Sequence, residues 1–126
     1  LTRVNFGHLL HYHAASKAAA TMCVCQVDQQ IPYGVVELDG HEISGIREKP
    51  RTSFFINSGI YVIESSALQM IPGDRRSDMP ELFTKLRERG GRTIAYPIQE
   101  YWTDVGRRED YEQAEEDFGM FFRRPA

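Results

Sequence analysis

Residues 21–27 read Thr21-Met22-Cys23-Val24-Cys25-Gln26-Val27, a short and almost continuously apolar run. Such a run is typical of a β-strand that is buried in a parallel sheet. The segment before it begins at Asn5, a good helix N-cap, and positions 6, 9, 10, 13, 14 and 17 then follow helical spacing. A helix that leads into a buried strand predicts one arm of an α/β crossover.

The rest of the chain continues the mixture of strand and helix patterns. Two strand-like runs, over 35–38 and 41–46, flank Asp39-Gly40 and predict an inserted β-hairpin. The other predicted elements are a strand over 54–63 that Asn57-Ser58-Gly59 interrupts, a helix that begins after Asp78 and ends at Gly90-Gly91, strands over 93–98 and 101–105, and a helix over 108–118. In that last helix Tyr111, Ala114 and Phe118 are expected to face inward.

Length and composition limit the possible function classes. The chain has 126 residues, of which 41% are apolar, so we expect one globular unit with a core. Fifteen Lys and Arg against 18 Asp and Glu give a net charge of −3. The chain therefore lacks the excess positive charge that attracts a nucleic-acid backbone, and we expect no nucleic-acid partner. No apolar run approaches the roughly 20 residues of a membrane span, so we expect no membrane partner. Because the sequence does not begin with Met, we expect a piece of something longer.

The two cysteines and four histidines are expected to be structural. Cys23 and Cys25 lie two apart on a strand, where they cannot form a disulfide, and a zinc site would need two more ligands. We expect both thiols to be reduced and buried, which favours the cytoplasm. The histidines are expected to be packed or solvated rather than metal ligands or bases, with His13 on the apolar helix face and His8 and His11 on the polar one; the fourth is His41.

Four short segments can carry chemistry, in a chain without a Gly-rich phosphate loop, a nucleophile elbow, a metalloprotease helix or paired CxxC motifs. They are Pro32-Tyr33-Gly34-Val35-Val36, Arg47-Glu48-Lys49-Pro50, Asn57-Ser58-Gly59-Ile60-Tyr61 and Tyr101-Trp102-Thr103-Asp104-Val105-Gly106. A glycine allows a ligand close to the backbone, a carboxylate and an amide suit sugar hydroxyls, and an ammonium suits a phosphate. Trp102 and Asp104 would lie on the same face of a strand. The Trp102 ring would then form an aromatic wall, and the Asp104 carboxylate beside it could be an oxygen ligand for Mg²⁺.

Each segment also has a structural interpretation. In the same order, these are a plain strand entry, a charged turn, a β-bulge, and a structural Trp followed by a helix-capping Asp.

Taken together and in this order, the four segments resemble the C-terminal half of the nucleoside-diphosphate-sugar pyrophosphorylases, the sugar-1-phosphate nucleotidyltransferases. Leu1-Thr2-Arg3-Val4 resembles the segment after that family's central Asp motif, and residues 104–111 resemble its closing strand and helix. The resemblance implies a partial Rossmann-like α/β fold with a mixed sheet, an inserted β-hairpin and flanking helices. It also implies that residues 1–126 are the sugar-phosphate-binding portion, without the N-terminal nucleotide-binding portion.

The resemblance assigns a role to each candidate residue. Tyr33 and Gly34 would lie against the sugar, and Glu48 would bind its hydroxyls. Lys49 would bind the phosphate of the sugar 1-phosphate. Asn57 and Gly59 would line the same pocket, and the Trp102 ring would form one side of it. Asp104 would hold the catalytic Mg²⁺ together with a second Asp, expected a residue or two before Leu1. Lys49 and Asp104 would be the catalytic pair, and we expect them to converge on one pocket.

The implied reaction is attack by a sugar 1-phosphate on a nucleoside triphosphate, GTP being favoured, with release of pyrophosphate, in nucleotide-sugar and polysaccharide biosynthesis. Half of the active site would be missing, so we expect this chain alone to be inactive. An apolar edge beside residues 21–27 would favour a homo-oligomer. The alternatives are a non-catalytic sugar-phosphate-binding or interaction module, and a related glycosyltransferase, although this sequence lacks the usual Asp-x-Asp.

Overall fold

The computed structural model describes residues 1–73 and 76–122. Its elements are α1 (Phe6–Ser16), β1 (Ala20–Gln30), β2 (Val35–Asp39), β3 (Glu42–Arg47), β4 (Arg51–Ile63), α2 (Ser65–Leu68), α3 (Met79–Glu88), β5 (Thr93–Pro97) and α4 (Arg108–Phe121). They form two compact units: unit 1 is Leu1–Cys25 with the described residues from Asn57 onward, and unit 2 is Gln26–Ile56. None of the helices in the described part has the length and apolar character of a membrane span.

Strand β1 lies at the centre of a three-stranded sheet of order β4-β1-β5. It runs parallel to β5, with Ala20 opposite Thr93 and Val24 opposite Pro97. On its other side the Glu64 amide donates to the Ala19 carbonyl, and the Ser58 hydroxyl donates to that of Cys23. Residue numbers therefore fall along β4 as they rise along β1, so this pair is antiparallel and the sheet is mixed. The expected free edge beside residues 21–27 is wrong, because β1 has a neighbour on both sides.

The two faces of β1 pack against different helices. On one face Ala20 packs in a buried cluster with Leu82, Phe83 and Leu86 of α3. On the other face Cys23 packs with Leu9 of α1 and with Val4. The neighbouring strand β4 alternates in the same way, since Tyr61 and Ile63 contact the first cluster while Ile60 and Val62 contact the second. Consecutive residues of both strands are thus apolar because both faces of the sheet are covered.

Helix α3 begins and ends where its sequence predicts. The Asp78 carboxylate accepts the Glu81 amide at 2.8 Å, Pro80 occupies the first turn, and Gly90 adopts a positive φ of 76° just beyond the end. Its predicted stripe of Met79, Leu82, Phe83 and Leu86 contacts the core. Sequence signals within and next to α3 are therefore sufficient to predict its two ends and its buried face.

The buried His13 joins α1 to β1 and to Glu64, the residue before α2. Its Nδ1 lies 2.7 Å from the Thr21 hydroxyl, and its Nε2 lies 3.1 Å from a carboxylate oxygen of Glu64. The expectation of a packed histidine is confirmed, whereas its carboxylate partner, 51 positions along the chain, carries no local signal. His8, His11 and His41 are exposed, as expected for solvated side chains.

Both cysteines are free thiols and buried, which confirms their expected state. Burial, followed by the nearby Cys25 and Glu100, raises the pKa of Cys23 to about 11. At neutral pH this thiol is therefore protonated and a poor nucleophile.

Unit 2 contains the predicted hairpin. Strands β2 and β3 pair antiparallel from Val35 opposite Arg47 to Asp39 opposite Glu42, with Gly40 at φ 59° in the turn. A bulge follows Glu37, whose carboxylate pairs with Arg47 at 2.9 Å. No residue of unit 2 is buried, although all 31 of them are described. This part of the chain therefore has no core of its own.

The structure differs from the sequence-based expectations at four places: residues 101–105, α4, α2 and β4. The predicted strand over 101–105 is wrong: the structure has one isolated bridge, between Thr2 and Trp102. In α4 only Ala114 is buried, whereas Tyr111 and Phe118 are about half exposed because they border an open apolar cavity of about 520 Å³. The four-residue α2 was not expected, since it is too short for a periodic pattern. Strand β4 begins at Arg51, earlier than expected, and continues through the expected interruption at 57–59, where Gly59 has φ 77°.

Adjacent leucines of α1 provide a test of this packing. Leu9 is 1% exposed and Leu10 is 56% exposed. Leu9→Ala should lower the free energy of unfolding by about 2–5 kcal/mol, because it leaves a cavity beside Cys23, whereas Leu10→Ala should cost less than about 1 kcal/mol. Urea unfolding measures both. Equal losses would contradict the orientation of α1.

Candidate active site

The segment Asn57-Ser58-Gly59 is tightly bonded within unit 1. The Asn57 side-chain oxygen accepts the Gly59 amide at 2.9 Å, and its nitrogen donates to the Tyr61 hydroxyl at 2.7 Å. The buried Ser58 hydroxyl donates to the Cys23 carbonyl at 2.9 Å. Gly59 has φ 77°, a left-handed conformation that glycine adopts without strain. This local Asx-type turn gives the strand its irregular conformation at this point.

Residues 101–103 pair with the first residues of the chain. Leu1 and Thr103 exchange two backbone hydrogen bonds of 2.9 Å, and the Arg3 amide donates to the Tyr101 carbonyl. From this ribbon the Trp102 indole donates to the Ser58 carbonyl at 3.0 Å. The structure therefore brings two of the four candidate segments together, those that contain Asn57 with Gly59 and Trp102 with Asp104.

Asp104 is available as a metal ligand. It is exposed, and its carboxylate accepts no hydrogen bond from another residue in the described part of the chain. Gly106 leaves room beside it, because a Cβ at that position would lie 3.3 Å from an Asp104 oxygen. Arg107 donates instead to Asp110, at 2.9 and 3.0 Å.

A magnesium ion prefers several oxygen ligands. No group of three or more His, Cys, Asp or Glu in the described ranges could hold a metal. Asp104 thus fits as one ligand of a site that other groups would have to complete.

Unit 2 brings the other two segments together. A Cβ at Gly34 would lie 3.1 Å from a Glu48 carboxylate oxygen, so the glycine makes room for this side chain. The next residue, Lys49, has φ 43°, which is uncommon outside glycine. Its carbonyl accepts the Gln30 side chain at 3.3 Å, and its own side chain is exposed. Tyr33 is 73% exposed.

The candidate residues are thus divided between the units. Unit 2 holds Tyr33, Gly34, Glu48 and Lys49, and unit 1 holds Asn57, Gly59, Trp102 and Asp104. Their roles, and the convergence of Lys49 and Asp104, stay predictions. Three residues that organise the segments were not among the candidates: Ser58, Tyr61 and Tyr101. Period-two alternation along β4 could have indicated Tyr61, since positions 57, 59 and 61 share a face.

Comparison with known proteins identifies the family. The family model described as Nucleotidyl transferase matches residues 1–119. This chain belongs to that family. It is 36% identical over 110 residues to a protein of Sulfolobus acidocaldarius named "Putative mannose-1-phosphate guanyltransferase", and 34% identical over 110 residues to the UTP–glucose-1-phosphate uridylyltransferase of Synechocystis. The resemblance to sugar-1-phosphate nucleotidyltransferases is therefore confirmed.

The match covers only part of each relative. It takes in 86% and 81% of this chain but 30% and 28% of the two curated nucleotidyltransferases. The crystal structure of HddC from Yersinia pseudotuberculosis matches with a TM-score of 0.61 and 25% identity, over 93% of this chain and 51% of that one. The expected partial Rossmann-like α/β fold is confirmed. That the chain is the C-terminal half stays a prediction.

The residue before Trp102 is held by α4. The Tyr101 hydroxyl donates to Asp117 at 2.6 Å, and its ring stacks on Phe121 at 4.9 Å between centroids. Burial, followed by the hydrogen bond to Asp117, raises the pKa of Tyr101 to about 12 from an ordinary value of 10.0. The folded state thus favours the neutral phenol.

The raised pKa of Tyr101 predicts a dependence of stability on alkaline pH. Because the folded pKa exceeds the unfolded one, the stabilisation is complete below pH 10 and is lost as the pH rises toward 12. Absorbance titration of the phenolates should show a late step that Tyr101→Phe removes and that Asp117→Asn moves toward pH 10. A titration unchanged by Tyr101→Phe would contradict the assignment.

Proposed function

We propose that this chain is the sugar-phosphate-binding portion of an enzyme that joins a nucleoside triphosphate to a sugar 1-phosphate and releases pyrophosphate. The observation that carries the proposal is the 3.0 Å bond from Trp102 to the Ser58 carbonyl, which places an aromatic side chain beside Asn57 and Gly59. An aromatic wall next to an amide is an arrangement that suits a sugar ring, apolar on its face and polar at its edge. Family membership supports the same interpretation.

The phosphate would be bound by Lys49 and the sugar hydroxyls by Glu48, beside Tyr33 and Gly34. Support comes from the space that Gly34 leaves for the Glu48 carboxylate. It also comes from the left-handed backbone of Lys49, since such conformations cluster at functional sites. Both side chains are exposed and so are accessible to a ligand.

Asp104 would hold Mg²⁺, which when bound would neutralise charge on the reacting phosphates. The second carboxylate that the resemblance places a residue or two before Leu1 would lie close to Asp104, because Leu1 and Thr103 are hydrogen-bonded to each other. Trp102 would restrict the position of the sugar. The reaction needs positioning and charge stabilisation rather than a covalent nucleophile, which is consistent with the protonated thiol of Cys23.

The finer assignments are also proposals. The 36% identity to the guanyltransferase-named relative supports GTP as the nucleotide, although a uridylyltransferase is 34% identical. Two free cysteines support a cytoplasmic location. Nucleotide-sugar supply for polysaccharide synthesis is the pathway we propose. A non-catalytic sugar-phosphate-binding module is the second candidate, favoured by the small share of each relative that the chain spans.

The catalytic proposal is tested by pyrophosphate release in the presence of Mg²⁺, GTP and mannose 1-phosphate. The 126-residue chain alone should show none, because it lacks the proposed nucleotide-binding portion. In a longer enzyme that includes that portion, Asp104→Asn should lose most of the rate, since an amide is a poor ligand for Mg²⁺. Asp110→Asn is the matched control: it removes a partly exposed carboxylate that pairs with the exposed Arg107 and should leave the rate nearly unchanged.

Sustained release by the chain alone would show that the catalytic residues are misassigned. A normal rate for Asp104→Asn would make that carboxylate structural, and binding of mannose 1-phosphate without turnover in the longer enzyme would favour the non-catalytic module.

We also propose that the isolated chain self-associates. The reason is the exposed apolar surface of unit 2, where Val36, Leu38, Ile43 and Ile46 are each 48–66% exposed. Sedimentation should show a dimer or larger species, and Leu38→Lys with Ile43→Lys should convert it to a monomer. A monomeric wild-type chain would contradict the proposal.

A further inference from the structure

The side-chain amide of Asn57 has a defined orientation. Its oxygen faces the Gly59 amide at 2.9 Å and its nitrogen faces the Tyr61 hydroxyl at 2.7 Å. A backbone N–H can only donate, so the atom that faces Gly59 must be the oxygen. The nitrogen then necessarily faces Tyr61, whose hydroxyl oxygen accepts one of its two hydrogens.

This arrangement leaves a definite capacity for further hydrogen bonds. A primary amide has two N–H donors and two acceptor lone pairs. Among the described residues one of each is used, so Asn57, which is exposed, retains one donor and one acceptor there. Two neighbouring hydroxyls on a sugar ring supply the complementary acceptor and donor.

The backbone next to Asn57 is also held by groups other than its own side chain. The Ser58 hydroxyl donates to the Cys23 carbonyl of the central strand, and the Ser58 carbonyl accepts the Trp102 indole. The remaining freedom is rotation of the Asn57 side chain itself. The Gly59 amide and the Tyr61 hydroxyl both restrict that rotation. The Tyr61 ring is half-buried and packs against the core beside Phe83, with 5.8 Å between ring centroids.

We infer that Tyr61 is a positioning residue: it holds the Asn57 amide so that its free donor and acceptor meet two adjacent hydroxyls of the bound sugar. The inference rests on the proposed function for the identity of the ligand. The orientation of the amide does not depend on any ligand.

Tyr61→Phe in the 126-residue chain tests the inference, because it removes the hydroxyl and keeps the ring. The matched control is Tyr12→Phe, which removes a hydroxyl that donates to the Ala95 carbonyl at 3.1 Å. In ¹⁵N NMR spectra the side-chain amide protons of Asn57 are assigned by their loss in Asn57→Asp, and the proton that faces the Tyr61 hydroxyl should exchange with solvent more slowly than the other one. Exchange should accelerate several-fold in Tyr61→Phe and stay unchanged in Tyr12→Phe. Unchanged exchange in Tyr61→Phe would overturn the inference.

Binding of mannose 1-phosphate to the same variants tests the role in sugar recognition. We expect affinity to fall about three- to tenfold in Tyr61→Phe, as for the loss of one hydrogen bond, and to be unaffected in Tyr12→Phe. Asn57→Asp keeps an acceptor but loses the donor, so it should weaken binding as well. Equal affinity of wild type and Tyr61→Phe would overturn the positioning role. If the wild type bound no sugar phosphate, the proposed function would fail while the NMR result would still decide the role of Tyr61.

Discussion

Full burial of the first half of β1 is the constraint on which unit 1 depends. Ala20, Thr21 and Cys23 have no exposed surface, so every backbone donor and acceptor there needs a protein partner. Strands β4 and β5 supply those partners on the two edges. The two faces then have to be covered as well, which α3 does on the Ala20 side and α1 on the Cys23 side. Loss of either helix would expose a face of the sheet to water and not merely remove a surface element.

The geometry of the candidate site follows from this centre. Because β4 runs antiparallel to β1, position 58 falls beside Cys23, and the Ser58 hydroxyl satisfies a carbonyl of the buried strand. The backbone on either side of Ser58 is thereby bonded to the fully buried part of β1. Trp102 then bonds to the same residue, although it comes from a ribbon at the other end of the sequence. Asn57 and Gly59 therefore lie on the backbone of β4, and Trp102 is bonded to the same strand, which favours a preorganised site. Asp104 lies outside the strands.

The sequence predicts the elements whose signals are local. The Asp78 cap and the terminal Gly90 delimit α3, Asp39-Gly40 sets the hairpin, and the apolar run at 21–27 indicates the central strand. Residues 101–105 were misread because alternation of side chains indicates a strand even where only one bridge forms. A ribbon of this kind depends on a partner segment about 100 positions away.

Hydrogen bonds between residues far apart in the sequence account for the other features that the sequence analysis did not predict. The pairing of His13 with Glu64 and the bond from Trp102 to Ser58 join segments 51 and 44 positions apart, and no spacing rule covers such distances. Resemblance to a family supplied the candidate residues, but it gave no reason to choose Ser58, Tyr61 or Tyr101. Their importance comes from hydrogen bonds that only the folded chain defines.

Unit 2 differs from unit 1 because it has no buried core to stabilise its conformation. Its 31 residues include no buried side chain, and a two-stranded hairpin is marginally stable in water. The free energy that orders Gly34, Glu48 and Lys49 therefore cannot come from a core within this unit. Under the proposed function, the Asn57 amide is oriented by hydrogen bonds within unit 1, whereas Gly34, Glu48 and Lys49, the groups proposed for the sugar and its phosphate, have no buried side chain around them in unit 2.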